Sequence, residues 1–319
     1  MNDITTTDAS NLVMVSAMPI DKNPAAVYLA SLGEGGRRTM RQALDVIAGL
    51  LTGNADCLVC NWAGLRFQHT AAVRSKLAGQ YAPATANKML SALRGVLKAA
   101  WQLGQLPGDD YHLAVSVENV SGETLPAGRG LTSGELTALL HACEVDITPA
   151  GARDAAIIAV MYAAGLRRAE VVSLDLDDYD PEAGRLVVRG KRSKERSAYM
   201  LNGASRAVSD WLAVRGGFPG PLFVPIHKGG ELINRRLTTQ AIFNMLRKRG
   251  EDAGVSEFSP HDLRRSFISD LLDAGADIST VAKMAGHASV NTTARYDRRP
   301  EDAKRKAANL LHVPYHGRK

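Results

Sequence analysis

The residues with the clearest chemical potential are two arginines, two histidines and a tyrosine, in the order Arg167, His261, Arg264, His287 and Tyr296. An arginine can donate two hydrogen bonds to the non-bridging oxygens of a phosphate, and a histidine can donate or accept a proton. A phenol can form a covalent ester with the end of a cleaved strand. This set of residue types suits attack on a phosphodiester without a metal. The natural substrate that it indicates is DNA.

The pair His261 and Arg264 begins a predicted helix. Ser259 is a favoured residue just before a helix, Pro260 is favoured at the first helical position, and Asp262 places a carboxylate in the first turn. At a spacing of three, the histidine and the arginine lie side by side at the amino end, where free backbone N–H groups already favour an anion. We expect this helix to present both side chains to a phosphate.

Arg167 follows a helix that the sequence predicts to be buried. Residues 153 to 164 are nearly all apolar, and Gly165 lies where a glycine commonly ends a helix. The backbone of an arginine directly after a buried helix is fixed by packing. This suits a guanidinium that must bind a phosphate in one defined geometry. An ordinary ion pair between helices is the alternative role.

His287 and Tyr296 belong to the next predicted helices. One helix ends at Gly286, which leaves His287 in a turn. A further helix, capped by Ser289 or Asn291, is expected to carry Tyr296 two turns later. The histidine and the tyrosine could converge there.

A β-hairpin with a basic tip is predicted between residues 185 and 201. Apolar and basic residues alternate up to residue 188, residues 190–196 are strongly basic, and a second strand follows. Lys191 lies in the tip. Its glycine neighbour does not make a P-loop, because the required earlier glycine and the following Ser or Thr are missing. ATP binding is therefore not expected.

Four carboxylates lie between Asp175 and Asp180. They do not predict a metal-dependent nuclease, because Pro181 and Gly184 follow and lead into a strand. That pattern is typical of a solvated turn.

The length and the composition predict two domains. A chain of 319 residues exceeds the usual size of one domain, and residues 107–129 are rich in Gly and Pro and lack helical periodicity. The expected parts are a flexible amino terminus over 1–20, a helical DNA-binding domain over 21–106, a linker over 107–129, and a catalytic domain over 130–319 with a terminal segment from 300 to 319.

The first domain is basic, although the net charge of the whole chain is only +6. Between residues 22 and 106 there are ten Lys or Arg against three acids. Two amphipathic helices are predicted, over 35–51 and 83–103, and a merely solvated basic face is the alternative reading of each. The candidates for DNA contact are Arg37, Arg38, Arg41, Lys88, Arg94 and Lys98.

Composition argues against several other classes of protein. No apolar stretch approaches the roughly 20 residues that span a bilayer, and no secretion signal is recognisable, so we expect a cytoplasmic protein. The three cysteines fit a reducing compartment. Cys57 and Cys60 have metal-like spacing, but no second pair completes a zinc site, and no metal is expected.

The order of arginine, hairpin lysine, HxxR, GH and tyrosine resembles that of the tyrosine recombinases, also called phage integrases. The resemblance spans residues 130 to 299, and residues 24 to 105 resemble the helical core-binding domain of that family more weakly. The chain is similar to the simple, two-domain recombinases of the Xer type. The resemblance implies a mostly α fold, in which an α-helical core-binding domain is joined to an α+β catalytic domain with a small β-sheet or hairpin.

The resemblance also implies the roles of the residues. Tyr296 would attack a DNA phosphate and leave a 3′-phosphotyrosine and a free 5′-hydroxyl. Arg167 and Arg264 would neutralise the transition state, and Lys191 would protonate the departing oxygen, with Lys194 as a less favoured substitute.

The two histidines take the remaining roles. His261 would accept the proton of the phenol, and His287 would form a hydrogen bond to the scissile phosphate. Neither a metal, ATP nor any other cofactor is required.

The expected partner is double-stranded DNA with inverted-repeat core sites, bound at the nucleoid by a homotetramer that joins two sites. A predicted helix over 301–311 resembles the segment that family members pack into a neighbouring subunit, and packing on its own subunit is the alternative. Two other functions stay open, a type IB topoisomerase that nicks and reseals one strand and a DNA-binding regulator with a vestigial site.

Overall fold

The computed structural model describes residue 12, residues 18–122, 128–190 and 195–296, and residues 308 and 314. The chain divides into two compact units, residues 1–127 and 128–319, which we call the first and the second unit. Each unit has its own hydrophobic core.

The first unit is built from helices. Its central helix buries Leu90, Leu93 and Leu97 on one face, which is the amphipathic pattern that the sequence predicts. The helices predicted over 35–51 and 83–103 are confirmed, each within one residue of its expected ends. The helices of this unit are α1 (Pro24–Ala30), α2 (Glu34–Thr52), α3 (Phe67–Gln80), α4 (Pro83–Gln102) and α5 (Gly108–Val115), with a 3-10 turn at Trp62–Gly64.

Helix α5 lies inside the stretch that the sequence indicates to be without helix. Its first turn carries Asp109 and Asp110, which interact favourably with the amino end of the helix dipole. Ala114 is buried in the first core, and the ring of Tyr111 stacks on Trp101 with centroids 5.1 Å apart. The prediction failed here because the Pro and Gly residues flank the helix and do not interrupt it.

The second unit combines eight described helices with one small sheet. The sheet is antiparallel with the strand order β1-β2-β3, and Leu186 of β2 pairs with Tyr179 on one side and Ala198 on the other. The strands are β1 (Tyr179–Asp180), β2 (Arg185–Arg189) and β3 (Glu195–Tyr199). The helices are α6 (Ser133–Glu144), α7 (Pro149–Ala163), α8 (Arg168–Ser173), α9 (Gly203–Arg215), α10 (Thr239–Asp252), α11 (Pro260–Asp273), α12 (Ile278–Ala285) and α13 (Val290–Ala294).

Helix α7 forms the middle of the second core. Its residues Ile157, Ile158, Val160 and Met161 are almost completely buried, so the prediction of a buried helix before Arg167 is confirmed. The mostly α fold with a small sheet is likewise confirmed. A smaller apolar cluster joins α11 to α12 through Phe267, Ile268, Leu272, Val281 and Ala285.

No described helix has both the length and the apolar character needed to cross a membrane. The strongly apolar α7 has 15 residues, fewer than the roughly 20 that a bilayer requires.

The acidic run from Asp175 to Asp180 is only partly the solvated turn that the sequence predicts. Asp178 is buried, accepts the backbone N–H of Asp175 at 2.9 Å and pairs with Arg189 of β2 at 2.6 Å. That carboxylate therefore stabilises the entry into the sheet. The sequence could not reveal this, because Arg189 reaches it only when β1 and β2 pair.

A buried ion cluster joins α10 to α7 and to the loop after α6. The guanidinium of Arg249, which is 4% exposed, donates to Asp154 at 2.9 Å and to Asp146 at 2.6 Å. Arg153 donates to the other oxygen of Asp154 at 2.7 Å. Because buried charges are tolerated only when they are paired, this cluster fixes the position of α10.

Replacing Arg249 with Met is expected to lower the free energy of unfolding of the second unit by about 3 kcal/mol, because Asp154 and Asp146 lose a buried partner. Arg247→Met, on the same helix, is the matched control. Arg247 pairs with Glu251 at 3.7 Å in an exposed position, so its loss should change the free energy by about 0.5 kcal/mol or less. Urea unfolding measures both variants, and equal effects would contradict the role of the cluster.

Candidate active site

Helix termini in the second unit supply the predicted site residues. Arg167 directly precedes α8, His261 lies in the first turn of α11, and Arg264 lies at the start of its second turn. His287 follows the glycine that ends α12, and Tyr296 lies two residues beyond the last residue of α13. The sequence suggests that Tyr296 lies inside this helix, but the structure places it just past the end of the helix.

Arg264 is the buried centre of the site. Its side chain is 1% exposed, and its guanidinium donates to the backbone oxygens of Gly165 and Ala285. These oxygens lie at the carboxyl ends of α7 and α12, where helical carbonyls have no partner within the helix. Burial, and after it the charge of Arg167, lowers the pKa of Arg264 to about 10, so this guanidinium is still a cation at neutral pH.

Gly165 has to be a glycine for this arrangement. Its φ of +57° is in the left-handed region, and a Cβ atom at this position would lie 2.4 Å from the ring of Phe267. The close approach lets the chain leave α7 directly beside α11. Arg264 and Arg167 are thereby brought into the same region.

Glu170 links Arg167 to the sheet. Its carboxylate accepts from the side chain of Arg167 at 2.9 Å and from Arg196 of β3 at 3.0 and 3.2 Å. Burial alone would raise the pKa of Glu170. The hydrogen bond from Arg196, the backbone N–H of Arg167 and the charges of these two arginines outweigh burial and hold the pKa below its ordinary value. Arg196 also donates to the backbone oxygen of Met284, so one ionised carboxylate and one arginine join α8, β3 and α12.

The hydroxyl of Tyr296 lies beside a histidine. Its oxygen is 3.3 Å from Nε2 of His261, and its ring is nearly parallel to that of His287, with centroids 6.2 Å apart. The ring also packs against the apolar cluster of α11 and α12. On the far side of the imidazole, Nδ1 of His287 lies 2.7 Å from the hydroxyl of Thr293.

Both histidines of the site are held in the neutral form. Burial lowers the pKa of His261, and the charges of Arg264 and Arg265 lower it further. Burial lowers the pKa of His287 to about 4, with added repulsion from Arg264 and Arg167. A neutral imidazole beside a phenol can accept its proton.

The hairpin lysines cannot be placed against these groups. Lys191 and its alternative Lys194 both lie outside the described residues. Arg196, the second residue of the return strand of the hairpin, is a described cation of that element that reaches the site through Glu170.

Two of the candidates for DNA contact in the first unit make internal hydrogen bonds. Arg94 donates to the backbone oxygens of Val115 and Val117 and to the side chain of Asn119, and Arg37 donates to backbone oxygens near the end of α1. The other four candidates, Arg38, Arg41, Lys88 and Lys98, are exposed.

In the described part of the chain, the side chains close enough to share a metal ion are Asp45, Asp56 and Cys57 of the first unit. The carboxylate of Asp45 accepts the backbone N–H of Cys57 at 3.0 Å, and that of Asp56 accepts the N–H of Leu58 at 3.0 Å. The group therefore caps a turn.

Sequence reasoning missed the roles of Glu170, Arg196 and Thr293. Glu170 carried a signal, because it is three residues after Arg167 and a glutamate at that position reaches back to the start of a helix. Arg196 and Thr293 carried none. Their partners come from other elements or from a turn whose geometry the sequence does not specify.

The site defines a class of protein. A tyrosine hydroxyl beside a neutral histidine, with a buried arginine and a half-exposed one nearby, suits transesterification on a phosphodiester through a tyrosine. Residues 129–302 match the Phage integrase family.

Relatives and a solved structure agree with this match. The tyrosine recombinase XerD of Pseudomonas putida is 30% identical over 306 residues, which cover 94% of this chain and 97% of the relative. The XerC recombinase of Herpetosiphon aurantiacus is 34% identical over 174 residues, which cover 53% of this chain and 55% of the relative. The structure of the XerH site-specific recombinase bound to a palindromic difH substrate has a TM-score of 0.64 at 21% identity, and the match covers 95% of this chain and 92% of that one.

The chain therefore belongs to the phage integrase family and is a tyrosine recombinase of the Xer-like type. Its activity is site-specific DNA recombination.

The lowered pKa of His287 predicts how the stability of the protein depends on pH. Between the ordinary value of 6.5 and about 4, the unfolded chain binds a proton that the folded chain does not. The free energy of unfolding should therefore fall as the pH falls through this window, and less steeply in His287→Gln. NMR titration of the histidine ring signals should give His287 a midpoint near 4.

Replacing the exposed His141 with Gln removes a histidine outside the site and should leave that midpoint unchanged. A midpoint for His287 near 6.5 would contradict the assigned burial and repulsion.

Proposed function

We propose that this recombinase cleaves and rejoins double-stranded DNA through a 3′-phosphotyrosine on Tyr296, with no metal or ATP. The observation that carries the proposal is the 3.3 Å approach of the Tyr296 hydroxyl to Nε2 of His261, next to the buried cation of Arg264. The proximity of these three side chains supports their roles as nucleophile, proton acceptor and phosphate-binding group.

The cleavage step balances as a transesterification. The phenolic oxygen forms a bond to the scissile phosphorus, its proton moves to His261, and the bond from phosphorus to the 5′-oxygen breaks. Lys191 gives a proton to that oxygen. The ester stores the bond energy, and a 5′-hydroxyl of another strand can attack it to rejoin the DNA.

The two arginines stabilise the charge that develops on the phosphate. Arg264 is fixed by two backbone oxygens, and Arg167 is held by Glu170 but remains 45% exposed, so the latter can turn its free N–H groups toward a substrate. One preorganised donor of this kind contributes about 3 kcal/mol to transition-state stabilisation.

His287 contributes a hydrogen bond to the scissile phosphate. Its Nδ1 faces the hydroxyl of Thr293, which leaves Nε2 for the substrate. Because the imidazole is neutral at pH 7, the tautomer protonated on Nε2 is the one that can donate to a phosphate oxygen.

The first unit supplies contacts to the DNA backbone. The exposed Arg38, Arg41, Lys88 and Lys98 are available for phosphates, whereas Arg37 and Arg94 already donate to backbone oxygens. The XerH relative bound to a palindromic substrate supports inverted-repeat core sites for this chain as well. A homotetramer on two such sites, acting at the nucleoid in the cytoplasm, completes the proposal.

Trapping of covalent protein–DNA adducts in cells tests the reaction and finds the target. Cells expressing the native chain should yield adducts whose DNA ends at a few paired, inverted sites, and Tyr296→Phe should yield none, because no phenolic oxygen remains to form the ester. Tyr199→Phe, which changes an exposed tyrosine on β3, is the control and should retain full yield.

The other functions make different predictions in the same experiment. Adducts that depend on Tyr296 but are scattered over unrelated sequences would indicate a topoisomerase-like enzyme. The absence of adducts from the native chain, with a known recombinase giving them in parallel, would indicate a DNA-binding protein.

A further inference from the structure

A second arginine contacts the tyrosine of the site through its ring. Arg265 is the neighbour of Arg264 on α11, and its guanidinium carbon lies 5.5 Å from the centre of the Tyr296 ring. A cation within about 6 Å of an aromatic centroid is attracted to the face of the ring. Arg264 reaches backbone oxygens, whereas Arg265 lies over the nucleophile.

Asp262 holds Arg265 in its place. Its Oδ2 accepts both the backbone N–H and the hydroxyl of Ser259 at 2.8 Å, and its Oδ1 lies 3.6 Å from Nε of Arg265. Asp262 and Arg265 are only 3% and 4% exposed. The carboxylate that caps α11 is thus also the counter-ion of the arginine over Tyr296.

The backbone of residues 128–131 packs against this pair. Gly128 has a φ of +97°, and a Cβ atom on it would lie 2.2 Å from Oδ1 of Asp262. The N–H of Leu131 donates to the hydroxyl of Ser266 at 2.7 Å, and Ser266 is 2% exposed. This segment therefore closes the side of α11 on which Asp262 and Arg265 lie.

A cavity lies beside Tyr296. A cavity of about 190 Å³ borders the ring, and its lining residues are Gly130, Arg265, Ser269, Asp273, Arg295 and Tyr296. Among the described residues, Arg265 is the cation that lines this cavity and also contacts the Tyr296 ring.

We propose that Arg265 is a positioning residue, which holds the ring of Tyr296 so that the hydroxyl stays beside His261, and that Asp262 and residues 128–131 hold Arg265. The guanidinium of Arg265 lies over the Tyr296 ring and beside Asp262, so it acts through the tyrosine. The planar guanidinium can lie flat on a ring, which an ammonium cannot do. The inference rests on the proposed function in one respect, the role of Tyr296 as the nucleophile.

The first test observes the ring in the free protein, without DNA. Tyrosines are labelled with ¹³C in the ring, and the Tyr296 signal is identified by its loss in Tyr296→Phe. In Arg265→Gln, whose planar amide can still bond to Asp262, the signal should shift and broaden. Arg168→Met removes the guanidinium that lies 5.5 Å from the Phe243 ring and should leave the Tyr296 signal unchanged.

The second test measures the consequence for catalysis. Arg265→Gln should give at least about tenfold less covalent adduct in cells than the native chain at equal protein level, since small misplacements of reacting groups cost rates of this order or more. Retention on calf-thymus DNA should stay close to that of the native chain, and a thermal melt should show that the variant is folded at the temperature of the assay. If Arg265→Gln does not fold, Arg265→Lys replaces it, and the same changes in the Tyr296 signal and in the yield of covalent adduct are expected.

Gly128→Ala tests whether residues 128–131 hold Asp262 and Arg265 in place. A methyl group there would displace Asp262, so the Tyr296 signal should move as it does in Arg265→Gln. Gly134→Ala is the matched control, because a Cβ atom at Gly134 meets nothing closer than 4.0 Å.

The inference is overturned if the signal of Tyr296 does not change in a folded Arg265 variant, whatever happens to the adduct, or if the adduct yield is unchanged. It is also overturned if the loss of adduct follows loss of DNA retention alone. If the native chain itself forms no adduct, the proposed function fails, and the ring signal alone then decides whether Arg265 positions the tyrosine.

Discussion

The site is organised by one buried guanidinium that joins three helices. Arg264 of α11 donates to backbone oxygens at the ends of α7 and α12, so three helix termini meet at one cation. Burying a charge costs several kcal/mol unless partners compensate for it, and carbonyls at helix ends carry the partial negative charge that does so. Because Arg167 follows α7 and His287 follows α12, the same contacts bring those two side chains to the helix that carries His261.

The charges around this centre suit an anionic substrate. The carboxylate of Glu170 is shared between Arg167 and Arg196, and the described hydrogen-bond partners of Arg264 are backbone oxygens. The excess of positive charge, together with burial, keeps His261 and His287 neutral at pH 7. The same groups therefore attract a phosphate and leave an imidazole able to take a proton from a phenol.

Local sequence patterns were reliable where the interactions were local. The cap at Ser259 and the glycine that ends α12 formed as predicted, because each depends on residues within one helical turn. Patterns failed where a distant partner decided the outcome. Asp178 forms an ion pair with Arg189 of β2, and α5 is stabilised by packing on α4.

The sequence by itself determined the class of reaction, because the types and order of Arg167, His261, Arg264, His287 and Tyr296 are those of a tyrosine recombinase. It also determined the helical character of both units, since hydrophobic periodicity is a local property. Only the tertiary structure decided which histidine lies next to the tyrosine hydroxyl, which arginine is buried and which lies over the tyrosine ring. Those contacts join residues 21 to 99 positions apart, and their distances follow from the packing of helix ends, which no local pattern specifies.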